Sequence, residues 1–148
     1  MDVQRILVVR QGGLGDTLLL WPAISELRRQ HPELRIELMG YAGRCELLLG
    51  PSGVDRVVDV EGSGLHLMYA MAAEVPEDVG RFFGRFDKIV LFASAGDLCV
   101  GENLLACGAG EVHVFMPEPP EGHRLHVAEH LVECFVRAGL IEQITGLN

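Results

Sequence analysis

The chain has 148 residues, 49% of them apolar, and a mean hydropathy of +0.25. That is enough for one domain with a packed core, and it excludes intrinsic disorder. The formal net charge of −9 argues against nucleic acid as a partner; the acid excess lies after residue 60, which leaves only the nearly neutral first part free to meet an anionic ligand.

Residues Met1 to Arg5 lack the basic start, apolar run and cleavage site of a secretory leader. No apolar run approaches the ~18 residues of a membrane-spanning helix. The expectation is a cytoplasmic protein with at most peripheral membrane contact. The first strand spans Arg5 to Arg10, where Ile6-Leu7-Val8-Val9 reads as a strand buried on both faces, as in a parallel sheet. The glycine-rich loop Gly12-Gly13-Leu14-Gly15-Asp16-Thr17 follows. A short turn is expected over Asp16 to Leu20 and a regular helix from Pro22, where a missing N–H costs nothing. In that helix Ala23, Ile24 and Leu27 share the apolar face, Arg28 and Arg29 are assigned to a solvated face, and His31-Pro32 ends it.

Leu34 to Leu38 alternates, which predicts a half-exposed strand ending at Gly40. A short helix is expected over Arg44 to Leu49, a third strand over Asp55 to Val60, a flexible joint at Gly62-Ser63-Gly64, and helices over Leu65 to Glu74 and Pro76 to Phe83. Asp87 to Ala93 is another doubly buried strand, Ser94 to Asp97 its loop and Leu98 to Cys107 a helix. Val112 to Met116 is a fifth strand, Pro117 to Gly122 a rigid surface loop, and His126 to Ala138 an amphipathic helix closed by Gly139. Strands alternating with helices imply an α/β fold: a doubly wound, mostly parallel, Rossmann-like sheet flanked by helices.

Chemistry is expected at the glycine loop, because ligands of open α/β sheets bind beyond the carboxyl ends of the strands. Glycines permit positive φ and close approach of a ligand, and the helix behind the loop offers a partial positive charge. The loop is neither a P-loop nor a dinucleotide fingerprint, since no Gly-Lys-Ser/Thr follows and the GxGxxG order is missing. Asp16 fits two roles, a helix cap and a general base for an incoming hydroxyl. They compete in part, because capping stabilises the anion and weakens it as a base. Arg10, at the end of the first strand, suits a ligand contact or a sheet-edge salt bridge, and Arg44 is the next basic residue near a strand end. His126 and His130 share a helical face, but no further ligands converge on them, so no metal site is assigned; the four cysteines lack metal-ligand spacing and read as buried free thiols. Trp21, Tyr41 and Tyr69 are assigned to core or rim.

The pattern Ile6-Leu7-Val8-Val9-Arg10-x-Gly12-x-Leu14-Gly15-Asp16-x-Leu18-Leu19-x-x-Pro22-Ala23-x-x-x-Leu27, then His31-Pro32 before an alternating strand, resembles the start of family 9 glycosyltransferases, the lipopolysaccharide heptosyltransferases and their relatives. Val54-Asp55-Arg56-Val57-Val58 and His126-Val127-Ala128-Glu129 resemble later landmarks of that family, while Ala93-Ser94-Ala95-Gly96-Asp97 departs from its Asp-x-x-Gly pattern. The resemblance implies one half of a two-domain GT-B enzyme: residues 1–148 as the N-terminal acceptor-binding domain, with a C-terminal nucleotide-sugar domain absent from this chain. It implies inverting transfer of a heptose-like sugar, usually from ADP-heptose, to a lipid A or core-type saccharide, without metal or other cofactor. Asp16 would be the catalytic base. Arg10, Gly12, Gly13, Leu14, Gly15, Thr17 and His126 would contact the acceptor, and the loop N–H groups would hold it or its phosphates. The chain alone would then transfer nothing. A non-enzymatic Rossmann-like module binding a small molecule or a protein is the alternative, and a nucleotide-binding domain in its own right is a third possibility.

Overall fold

The computed structural model describes residues 4–70, 74–93, 98–119 and 126–143. Five strands form one parallel sheet: β1 (Arg5–Val9), β2 (Arg35–Gly40), β3 (Arg56–Asp59), β4 (Lys88–Phe92) and β5 (Glu111–Phe115), in the order β3-β2-β1-β4-β5. The helices are α1 (Leu14–Leu18), α2 (Trp21–Gln30), α3 (Ala42–Cys45), α4 (Glu77–Gly84), α5 (Leu98–Ala106) and α6 (Val127–Arg137). The order of strands reverses direction between β1 and β4, so the crevice expected of a doubly wound sheet opens there.

Strand side chains alternate between two cores. Ile6, Val8, Ile36, Leu38, Val90 and Phe92 pack with α2 and α6, while Leu7, Val9, Met39, Ile89 and Leu91 pack with α4, α5 and the 3-10 turn Leu65–Tyr69. Both faces are covered, which is why β1 and β4 are continuously apolar. The same cover corrects the half-exposed reading of the second strand. Five of its six residues are buried, and the polar member of its alternation, Glu37, is 2% exposed. Glu37 Oε1 meets Arg85 Nη2 at 3.0 Å, and the Arg85 guanidinium lies over the rings of Phe82 and Phe86. A buried carboxylate is tolerated because its cation is held in place.

Arg28 also departs from expectation. It is buried rather than solvated, and its guanidinium donates to the carbonyls of Gly53, Pro32 and Leu34 and to Asp55 Oδ2. Asp55 Oδ2 accepts the Ile36 N–H as well, so this cluster ties α2 to the entries of β2 and β3. Arg29, one residue on, lies outside against Glu26 and Gln30 completes the group; these hydrogen bonds hold the Glu26 carboxyl down at about 2.

The helix expected over Leu65 to Glu74 is a 3-10 turn over Leu65–Tyr69 with Ala70 extended, and residues 71–73 of that expectation lie outside the described residues. Asn103 of α5 donates to the carbonyls of Met68 and Ala70, which holds the end of this turn against α5. The expected Arg44–Leu49 helix starts earlier, as α3, and tightens into a 3-10 turn over Glu46–Leu48. Gly139 closes α6 as expected: at φ +75° its N–H reaches the Val136 carbonyl and the Leu140 N–H reaches Phe135, a Schellman ending that disfavours any β-carbon. All four cysteines are free, and burial pushes the Cys45 and Cys134 thiols up to about 11. The expected loop Ser94 to Asp97 and the end of the Pro117 to Gly122 loop lie outside the described residues.

Candidate active site

The loop after β1 carries the carboxylate that the sequence singles out. α1 begins earlier than expected, with Gly13 as its N-terminal cap, so Asp16 is not the cap residue but the third residue of the helix. From there it reaches back: Oδ2 accepts the Gly13 N–H at 2.9 Å. This is one arm of a capping box, the arm that closes an orphan donor at the helix start. Oδ1 faces Arg10 Nη2 at 3.4 Å, and the Asp16 side chain remains 48% exposed. The carboxylate is therefore fixed at one oxygen and open at the edge of the sheet, neither sunk in the core nor sealed from solvent.

Of the two reasons expected for the glycines, positive φ does not apply: none of Gly12, Gly13 and Gly15 has one. A β-carbon at Gly12 would lie 2.7 Å from Asp16 Cβ and 3.2 Å from Arg10 Cζ, so Gly12 is small to let those two side chains meet over it. Gly15 has no such reason: a β-carbon there would meet nothing within 4 Å. Inside a helix Ala is favoured over Gly by about 0.5–1 kcal/mol. Gly15→Ala is therefore expected to hold or raise the denaturation midpoint. If an acceptor approaches the backbone at this point, the same change raises KM; an unchanged KM would remove Gly15 from the contact surface.

Two clefts open along the carboxyl edge of the sheet. One of about 460 Å³ is lined by Arg10, Gln11, Tyr69, Phe92, Ala93 and the Pro117-Glu118 turn. The other, of about 420 Å³, is lined by Gln11, Tyr41, Val60, Glu61, His66 and Tyr69, with Gly62 at its rim. Gln11 and Tyr69 stand in both linings, so the two adjoin. Together they run past the carboxyl ends of all five strands, with the switch between β1 and β4 in the first. Arg10 connects the cleft to Asp16: its side chain is 12% exposed, contributes to the lining and faces the carboxylate. Its Nε is buried without a hydrogen-bond partner among the described residues, an arrangement that costs about 1–3 kcal/mol. Arg44 stands on the other side of the loop, donates to the Gly12 carbonyl at 3.1 Å and stacks over Tyr41.

The expected site residues divide. Asp16, Arg10, Gly12, Gly13 and the exposed Gly15 and Leu14 lie together at the carboxyl end of β1. The Gly13 N–H is taken by Asp16, so it is not free to hold a ligand. Thr17 is buried and its hydroxyl donates to the Gly13 carbonyl, which braces the turn. His126 is the exposed N-terminal cap of α6 and appears in neither cleft lining. His130 is turned inward, 2.8 Å from the Met116 carbonyl, so the pair does not form a ligand set. No group of three or more metal-ligating side chains occurs among the described residues, and no helix among them is long and apolar enough to cross a membrane. Sequence reasoning missed Gln11, His66 and Glu118 and set Tyr69 aside as core or rim. Their common signal is position: each follows the carboxyl end of a strand.

No family profile matches the sequence, and no curated protein sequence does. Solved structures match it over nearly its whole length. The E. coli heptosyltransferase WaaC with ADP-2-deoxy-2-fluoro heptose is 13% identical, with a TM-score of 0.61 over 97% of this chain and 51% of that one. A glycosyl transferase of family 9 from Veillonella parvula is 19% identical, with a TM-score of 0.60 over 99% of this chain and 44% of that one. The E. coli ADP-heptose lps heptosyltransferase II gives 16% and 0.52, over 98% of this chain and 35% of that one. The chain thus spans about half or less of the length of these structures, and it has the fold of that portion of a GT-B glycosyltransferase.

Proposed function

We propose that this chain is the acceptor-binding half of an inverting, metal-independent glycosyltransferase that moves a heptose-like sugar from a nucleotide sugar to a lipopolysaccharide-type saccharide. The observation that carries the reading is Asp16: a half-exposed carboxylate anchored through one oxygen at the carboxyl end of β1, beside a cleft at the sheet's switch point. The fold shared with glycosyltransferases of family 9 and with heptosyltransferases supports it. In the proposed step the acceptor hydroxyl attacks the anomeric carbon from the face opposite the leaving group. Its O–H proton passes to the Asp16 carboxylate, and the anomeric C–O bond breaks with its electron pair leaving on the nucleoside diphosphate. Anchoring Asp16 by the Gly13 N–H fixes its direction before substrate arrives. The nucleotide sugar, ADP-heptose in this reading, would sit on a second domain outside these 148 residues.

The test is acceptor-dependent release of ADP from ADP-heptose by the complete protein, followed with and without EDTA. Release that requires the saccharide and survives chelation is the expected result. Release that requires added magnesium would overturn the metal-independent mechanism, and no acceptor-dependent release would overturn the transferase reading. The non-enzymatic alternative is favoured by one feature: Leu14 and Leu18 of α1, Trp21 of α2 and Leu47 are large apolar side chains left exposed. A protein-binding module would use such a surface and be indifferent to the loss of the Asp16 charge.

A further inference from the structure

The arginine at the end of β1 is under-bonded for a cation so nearly enclosed. A guanidinium offers five N–H donors. Those of Arg10 meet the Gln11 carbonyl and the Asp16 carboxylate, each at 3.4 Å, and Nε–H has no partner among the described residues. By comparison, the Arg28 guanidinium makes four bonds between 2.6 and 3.1 Å. Arg10 also lines the cleft between the ends of β1 and β4. A planar fork with donors to spare at a cleft wall suits the paired oxygens of a phosphate or carboxylate.

The geometry points to an exchange: Arg10 holds Asp16 while the cleft is empty, and an anionic group entering the cleft takes the guanidinium and leaves Asp16 free to accept a proton. Arg10 is then a positioning residue that acts through Asp16, and Gly12 is the gap over which the two side chains pair. The exchange couples the base to an occupied acceptor cleft, so that water is a poor substitute for the acceptor hydroxyl. This deepens the proposed function and rests on Asp16 being its base.

The test is a titration of the 148-residue chain with inorganic phosphate at constant ionic strength, followed by NMR at the Arg10 Nε–H and the Asp16 carboxyl carbon. Both signals are expected to move along one saturable curve, and Arg10→Gln abolishes it. Asp16→Asn removes the internal competitor and should tighten phosphate binding about three- to fivefold, the ratio a half-exposed ion pair supports. Glu118→Gln removes another carboxylate from the same cleft lining and should change affinity less than about twofold. Arg10→Lys keeps the charge without the fork and should bind more weakly than wild type. Acetate titrated in parallel tells a carboxylate site from a phosphate site, according to which anion saturates both signals. The exchange is overturned if neither anion saturates them, if the Asp16 carbon stays still at saturation, or if Asp16→Asn gives no more than Glu118→Gln. The role of Asp16 as base is read separately, from the transfer rate of Asp16→Asn. A collapsed rate with unchanged phosphate affinity would sink the exchange and leave the base.

Discussion

In the complete protein, Asp16→Asn should lower the transfer rate by about 10²–10⁴-fold, the range a positioned general base contributes, while leaving the fold in place. The two roles of this residue are separable because they use different properties. Holding the Gly13 N–H requires an acceptor oxygen, which Asn supplies as well as Asp; accepting a proton in transfer requires the carboxylate. The loss of the Arg10 pair, half-exposed on its acidic side, should shift stability by at most about 1 kcal/mol. Asp16→Ala removes the acceptor too and should add about 1 kcal/mol of destabilisation from the lost cap, with no further loss of rate. Single-turnover rates and urea midpoints on the two variants distinguish these outcomes. Transfer by Asp16→Asn within a few-fold of wild type would confine Asp16 to the capping role.

The largest effect on stability is expected at Arg28. Arg28→Met removes the guanidinium while keeping much of its apolar stem. It leaves Asp55 with the Ile36 N–H alone and the carbonyls of Gly53, Pro32 and Leu34 without their donor. The bonds to the Gly53 and Leu34 carbonyls are buried, and a buried acceptor left without its donor costs about 1–3 kcal/mol, while the ion pair, half-exposed at Asp55, adds at most about 1 kcal/mol. For a chain of this size the sum corresponds to a fall in Tm of roughly 10 °C. Arg29→Met is the control, since that side chain lies outside and touches only Glu26 among the described residues, so its midpoint should match wild type. Calorimetry of both variants checks the pair. Equal midpoints for Arg28→Met and wild type would mean that the cluster contributes nothing net.

These two arginines also show what the sequence could and could not disclose. They are adjacent, both in a helix and both charged, and composition treats them alike. The discriminating signal was spacing: Arg28 follows Ile24 by four and Leu27 by one, inside the apolar stripe, and Asp55 opens the next strand but one. Glu37 was misplaced for a related reason. Alternation reports a half-exposed strand only when one face is wet, and here Arg85 with its aromatic partners covers that face. The sheet itself was legible because doubly buried strands are unbroken apolar runs, and β1 and β4 carry them. At the site, the position of Asp16 was readable from the strand and its glycines, but not its back-reaching hydrogen bond, which depends on where α1 starts. The clefts were unreadable, since Gln11, Tyr69 and Glu118 come from three separate loops that only the topology assembles.

The central strand finds its second neighbour late. β1 pairs with β2 about thirty residues on, but with β4 only after residue 88, and the Arg5 N–H is closed by Asp87. Until that part of the chain has left the ribosome, the most apolar strand of the protein has a bare edge. Nascent chains stalled before β4 should therefore recruit chaperones or cluster, and those stalled beyond α6, which covers the last apolar face of the sheet, should not. A high share of distant pairings also makes for slow refolding from denaturant compared with a helical bundle of equal length.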